Sequence, residues 1–260
     1  AAGFKLHPAF IRAGVEKEYI YMGAYKAGEI VDDGKTKLTS VSGAIPVVSR
    51  NINTFRTQAQ NRGTGWEIVD ALTRNAVALL YLVEYADTNS QATIGQGITG
   101  LRYIAGDTVT VASTEPGNTI IVSSATGNFF EVGRVVGVGT TLGGGQVCQH
   151  RTITKIEPEK TPGGEETGNV IITVDGNPFS TTVEDEGLGT PVNIIYHVGQ
   201  KTGGCDGLGN ASGSADGSKG NKVSVSYRGL EDLWGNVWEF VDGINIKNRS
   251  ADSIDEIEAQ

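Results

Sequence analysis

Residues 234–243 read WGNVWEFVDG and hold two of the chain's three tryptophans, four residues apart around a Gly-Asn pair. Glycine lets the backbone turn or approach a neighbour closely. Asparagine satisfies turn amides with its own side chain. In an extended segment Trp234, Asn236 and Trp238 share one face, with Val237 and Glu239 on the other. Tryptophan buries a large apolar area, and its indole N–H needs an acceptor. The spacing therefore predicts aromatics that lock a sheet in place.

Outward from this segment, residues 223–246 are extended and aromatic, and residues 199–222 form a Gly/Ser/Asp/Asn-rich loop. From about residue 107 to 198 the character is different. Short β-branched runs (DTVTVAS, NTIIVSS, EVGRVVGVG, RTITKIE, NVIITVDG and PVNIIYHV) alternate with turn markers. Six such runs predict a small antiparallel barrel or sandwich.

The N-terminal part mixes both periodicities. KEYIYMGAY (17–25) alternates as a strand, and DDGKTK (32–37) reads as a turn centred on Asp-Gly. Asn53 is placed to cap a helix over Thr54–Arg62, stopped by Gly63, with Phe55 and Ala59 as its stripe. A second helix is expected over Ile68–Tyr85. Its apolar face of Leu72, Ala76, Leu79, Leu80 and Val83 would be the principal core element.

A β block between a helical part and the strands that complete its sheet reads as an insertion, which enters at loops where chain ends lie close. The expected organisation is 1–104 and 200–246 as one domain, 105–199 as an inserted β domain, and 247–260 as an acidic tail or linker. GQGITG (95–100) and GQKTGG (199–204) would be the hinges.

Composition excludes several classes of function. Net charge is −9 and the pI is about 4.9, with no basic face. Nucleic acid is therefore not an expected partner, because phosphate neutralisation needs a basic footprint. The same acidity disfavours anionic lipid. No run of apolar residues is long enough to span a bilayer. The 37 glycines, about twice ordinary usage, predict many tight turns.

The motif also carries a resemblance. GLEDLWGNVWEFVDG is similar to the Gly-Asn-Val-Trp-Glu-Trp signature of the formylglycine-generating-enzyme (sulfatase-modifying factor) branch of the C-type-lectin-like fold. Gly235, Asn236, Val237, Trp238 and Glu239 match it, and Phe240 replaces the second tryptophan. Four further stretches resemble phage tail-fibre and virion surface proteins of this fold. They are HPAF (7–10), residues 40–46, FRTQAQNRGTGW (55–66) and LLYLVEYADTNSQATIGQG (79–97).

The resemblance implies an α+β class: a C-type-lectin-like domain, with two helices on twisted antiparallel sheets, interrupted by the inserted all-β domain. It implies a non-enzymatic virion surface component that binds a host-cell surface receptor or other virion proteins, located on the particle as a homo-oligomer, a trimer. A structural capsid decoration or fibre spacer is the alternative, and a divergent oxidase of the formylglycine-generating type is the third.

Chemistry is sparse in the sequence. The enzymes of that branch use a cysteine pair beyond the motif, whereas no cysteine follows Gly243 here. Cys148 and Cys205 match neither position and read as free thiols. Cys148 and His150 stand at i and i+2, and His7 and His197 have no readable partners, which is a poor zinc pattern. No catalytic residue is assigned. Lectin-like folds often hold calcium in loops. Asp206, Asn210 and Asp216 supply oxygen donors in the 199–222 loop, the candidate binding loop and calcium site. Their spacing fits no EF-hand, and the other reading is a solvated loop. No other cofactor is expected.

Overall fold

A computed structural model describes residues 3, 5–183, 192–247 and 256–259. The chain divides into two compact units. One comprises Ala1–Ile98 and Thr202–Gln260, the other Thr99–Lys201.

The Thr99–Lys201 unit is built on one six-stranded antiparallel sheet. Its spatial order is Ile194–His197, Val135–Thr141, Gly144–Lys160, Glu166–Val174, Thr119–Ser123, Val109–Val111. Each of the six β-branched runs supplies a strand of this sheet. Ser113–Gly117 and Phe179–Thr181 form a separate antiparallel pair. Alternation explains the core. In Thr119–Ser123 the even positions Ile120 and Val122 are buried while their neighbours are not. They meet Val136, Val138, Ile153, Ile172, Val174 and Ile195 in one aliphatic cluster. Burying each such side chain contributes about 1.5–3 kcal/mol. A one-turn helix, Ser124–Gly127, interrupts the strand pattern where the Ser123 hydroxyl accepts from the Thr126 amide at 3.2 Å.

The other unit has two longer helices, α1 (Ile52–Gln60) and α2 (Ala71–Tyr85), and only short strands. Gly28–Asp32 and Lys35–Thr39 form a hairpin whose turn residues, Asp33 and Gly34, both have positive φ (54° and 68°). That is the conformation Asp-Gly adopts at the tip of a two-residue hairpin loop. Helix α1 lies on this hairpin: Asn61 donates to the Thr36 carbonyl at 2.9 Å and Arg62 to that of Leu38 at 2.8 Å. Helix α2 lies instead beside Val225–Tyr227, the middle strand of a three-stranded sheet with Gly213–Ser214 and Leu230–Glu231.

Several expectations need correction. The α+β C-type-lectin-like class does not hold. Strand makes up 33% and helix 16%, and the dominant sheet is the six-stranded antiparallel one of the Thr99–Lys201 unit. The two helices do not share a twisted sheet; each packs on a different short one. The physical reason is the backbone. Left-handed residues at Arg228, Asp232, Gly235 and Asn236 bend the chain every few positions where a long ladder would need extension.

KEYIYMGAY forms no strand, and Tyr21 stands 90% exposed. Alternation alone does not make a strand where no neighbouring strand accepts its hydrogen bonds. The cap of α1 is Asn51, not Asn53, because Asn51 is the extended residue whose side chain accepts from the Thr54 amide. Helix α2 starts three residues later than expected, at the Asp70 cap. The face of α2 expected in the core is turned outward: Leu72, Leu79, Leu80 and Val83 are exposed, and Thr73 and Tyr81 are buried. Of the expected tail, Glu256–Ala259 pairs with Ile244–Lys247, while 248–255 and 260 lie outside the described residues.

Candidate functional site: an aromatic cleft

The WGNVWEFVDG segment is not extended, and its two tryptophans have opposite fates. Gly235 (φ 80°) and Asn236 (φ 64°) are left-handed, which breaks the strand alternation between them. Trp234 packs against Tyr81, Ile94, Val225 and Tyr227, and its indole N–H donates to the Gly95 carbonyl at 3.0 Å. Asn236 is buried. Its amide N–H donates to the Ile98 carbonyl at 2.8 Å and its side chain to Asp232 at 3.0 Å. A Cβ at Gly235 would come within 2.8 Å of the Ile98 backbone nitrogen, so only glycine fits there.

The far end of the segment is fastened as well. Asp242 exchanges backbone hydrogen bonds with Val69 and Ala71, both at 2.9 Å, and its carboxylate takes a two-point contact from Arg56. That guanidinium holds the Asp242 carboxyl below its ordinary value.

Between these anchors Trp238 is 102% exposed, so the whole ring stands in solvent. Next to it Glu239 turns back to Lys26, at 3.0 Å, and Arg74, at 3.6 Å. Lys26 is buried, and burial lowers its pKa against the opposing pull of Glu239. Phe240 meets Phe55 of α1 with ring centroids 5.8 Å apart. Beyond the end of α1, Gly63 (φ 130°) redirects the chain and brings Trp66 over the Arg62 guanidinium, 4.4 Å from the ring centroid.

Lys26, Phe55, Arg62, Trp66, Trp238, Glu239 and Phe240, with Leu38 of the hairpin and Ser40 just after it, line a cleft of about 220 Å³. Tyr25, Phe55, Trp66, Trp238 and Phe240 stand in its walls among aliphatic residues such as Leu38, Val47, Ile68 and Val69. Lys26, Arg62, Glu67 and Glu239 supply polar groups along them. An apolar and aromatic lining with a few polar groups is the usual make-up of a ligand site.

The candidate loop residues are elsewhere. Asp206 and Asn210 line a second cavity of about 260 Å³ with Tyr25, Cys205 and Glu231. The Asp206 carboxylate accepts from the Ser42 hydroxyl and from Tyr25, at 2.6 Å, and these bonds lower its pKa. Asp216 is not among that cavity's lining. Its carboxylate accepts from the Ser218 amide at 2.8 Å within its own turn. Among the described residues no group of three or more His, Cys, Asp or Glu side chains is arranged to hold a metal.

The loop they belong to is more structured than its composition suggests. Thr202 is buried, and Glu231 accepts from the Gly203 and Cys205 amides at 2.8 and 2.7 Å.

Both cysteines are free and buried. Burial pushes both thiols up, Cys205 to about 12. His150 follows Cys148 with a φ of 53°, so the pair does not sit on one regular strand face. His7 bridges the Ala9 amide and Asn75, and His197 accepts from the Arg102 amide at 2.7 Å.

Trp66, Arg62 and Phe55 had no place in the sequence-based assignment of a site. The one available signal was that Trp66 and Trp234 each adjoin a glycine, Gly65 and Gly235. Comparison with protein families, with curated proteins and with solved structures found no significant match. Among the described residues no helix is long and apolar enough to cross a membrane.

Proposed function

We propose that this chain is a non-enzymatic surface component of a phage virion that adheres to its host by binding an envelope glycan in the aromatic cleft. One observation carries the binding reading: Trp238 is fully exposed on a segment tied down at both ends. An indole ring left in water is unfavourable for the free protein. It gains when a partner covers it, and tryptophan and arginine are the residues that most often dominate binding energy. Fastening the segment at Asn236 and at Asp242 means that little conformational freedom remains to be lost on binding.

The chemistry favours sugar. A pyranose offers a face of C–H groups with partial positive charge, which suits the negative face of an indole. Its hydroxyls need donors and acceptors, which Arg62, Glu67 and Glu239 provide around the cleft. The phage assignment rests on the resemblance of residues 7–10, 40–46, 55–66 and 79–97. The state of the two thiols supports the non-enzymatic reading. A nucleophilic or redox cysteine works as thiolate, and the burial of both thiols here disfavours that form.

The test is retention of the chain on a panel of bacterial envelope polysaccharides, with Trp238→Ala and Trp66→Ala compared. Binding that falls at least tenfold in both variants supports the reading. Equal retention of all three proteins, or none by the parent, removes it.

A further inference from the structure

We infer that α2 is a self-association surface, and that its exposed face packs against the same helix of a second copy of this chain. The argument starts from spacing. Leu72, Ala76, Leu79 and Val83 follow at intervals of 4, 3 and 4 residues, the interval pattern of an a/d seam. Leu80 and Leu82 flank the seam. Leu72, Leu79, Leu80, Leu82 and Val83 are 44%, 44%, 55%, 38% and 85% exposed. At 100° per residue these positions span an arc of about 160°, opposite the arc that Tyr81 and Val77 use to contact their own unit; Asn75 lies within it and is bonded to His7 at 3.0 Å.

Charge decides which occupant fits. Arg74 and Glu84 are the only charged residues of α2, and both are engaged by their own chain. Arg74 donates to the Leu233 carbonyl at 2.7 Å and faces Glu239. Glu84 accepts from Tyr227 at 3.0 Å and from Arg228 at 2.8 Å. The outward arc is therefore uncharged, on a chain of net charge −9. Two copies repel each other over most of their surface and meet without that cost here. A membrane is the weaker occupant, because a helix lying in a lipid interface carries a basic polar face, which α2 lacks.

Area agrees. The five exposed side chains present roughly 450 Å² of apolar surface, toward the upper part of the range for the largest patch on a typical monomer, roughly 300–600 Å². Joining two such faces removes roughly 900 Å², the size of a weak or transient interface, so association is expected to depend on concentration. A helix pair of this kind closes by symmetry with each seam on the other.

The experiment is the mass of the full chain in solution by sedimentation across a dilution series, beside Leu79→Glu and Val83→Lys. The parent is expected at two or more times 27.3 kDa at the concentrated end, and both variants at 27.3 kDa with an unchanged circular dichroism spectrum. Val83 is almost fully exposed, so its substitution leaves the fold intact even if that of Leu79 does not. In parallel, Val83→Cys places the one accessible thiol at the seam, since Cys148 and Cys205 are buried. An oxidant should then link two chains covalently. A parent that stays at 27.3 kDa at every concentration, or variants that keep the parent's larger mass, overturns the inference.

Discussion

The two units of this chain are stabilised in different ways. The Thr99–Lys201 unit has an aliphatic interior in which Ile120, Val122, Val136, Val138, Ile172 and Ile195 are inaccessible to solvent and carry no polar atoms on their side chains. The unit of Ala1–Ile98 and Thr202–Gln260 has a smaller cluster, Tyr81, Ile94, Val225 and Tyr227, edged by Trp234. Around it lie buried charges and amides: Lys26, Glu231, Asp232 and Asn236. Burial of apolar area is tolerant of small shifts, whereas a buried polar network is stabilising only when every member is satisfied. The first unit buries polar groups too, Asp107, Arg134, Asn193 and His197 among them, but its larger core is aliphatic and set by alternation, whereas the second relies more on individual hydrogen bonds. That is why the second can hold an exposed tryptophan at a fixed place.

The largest effect should come from the aliphatic core. Ile172→Ala removes a side chain with no solvent exposure, and the expected loss is about 4 kcal/mol, from lost burial plus the cavity left behind. Denaturant unfolding followed by far-ultraviolet circular dichroism measures it. A loss under about 1 kcal/mol would mean that this interior is loosely packed.

The next effect is polar. Asp232 is wholly buried and accepts from the Val225 amide at 3.2 Å, from Asn236 at 3.0 Å and from Ser224 at 3.3 Å. Asp232→Ala strands those donors and should cost about 3 kcal/mol. Asp232→Asn keeps an acceptor and separates shape from charge. Burial raises the Asp232 carboxyl above its ordinary value, so the folded state holds this proton more tightly than the unfolded one. The cost of ionising it is absent in acid below the unfolded value of about 4. That cost grows as pH rises toward the folded value. The parent should therefore lose stability relative to Asp232→Asn across that window. A constant difference between the two proteins would show that the carboxyl does not titrate there.

Legibility in sequence follows the same division. The six runs between residues 107 and 198 were readable because strand alternation is a local pattern, and DDGKTK because Asp33-Gly34 supplies the left-handed turn by itself. KEYIYMGAY has the same alternation but no partner strand, and partnership is decided by distant residues. In α2 periodicity revealed an apolar stripe but could not say which arc would dock. The docked arc is chosen by a contact made across the fold: Tyr81, stacked on its helix neighbour Tyr85 at 4.9 Å, meets the distant Tyr227 edge to face at 5.8 Å. Glu231 as an acceptor for the amides of Gly203 and Cys205 had no sequence signal, since 26 and 28 positions separate the partners. The cleft joins the hairpin, the end of α1 and residues 237–240, so its existence depended on long-range folding.

The smallest effect on stability separates the two tryptophans of one motif. Trp234→Ala removes a half-buried ring and its bond to the Gly95 carbonyl, and should cost about 2 kcal/mol. Trp238→Ala removes a ring that touches solvent on every side, and should change stability by no more than about 0.5 kcal/mol. If the two variants unfold at the same denaturant concentration, the left-handed pair Gly235-Asn236 does not divide the motif into an anchored half and a displayed half. If only Trp234→Ala is weakened, the ring at position 238 contributes little to the fold. What keeps it there is then the partner it covers, and a loss of glycan retention in Trp238→Ala without loss of stability would be the signature of that role.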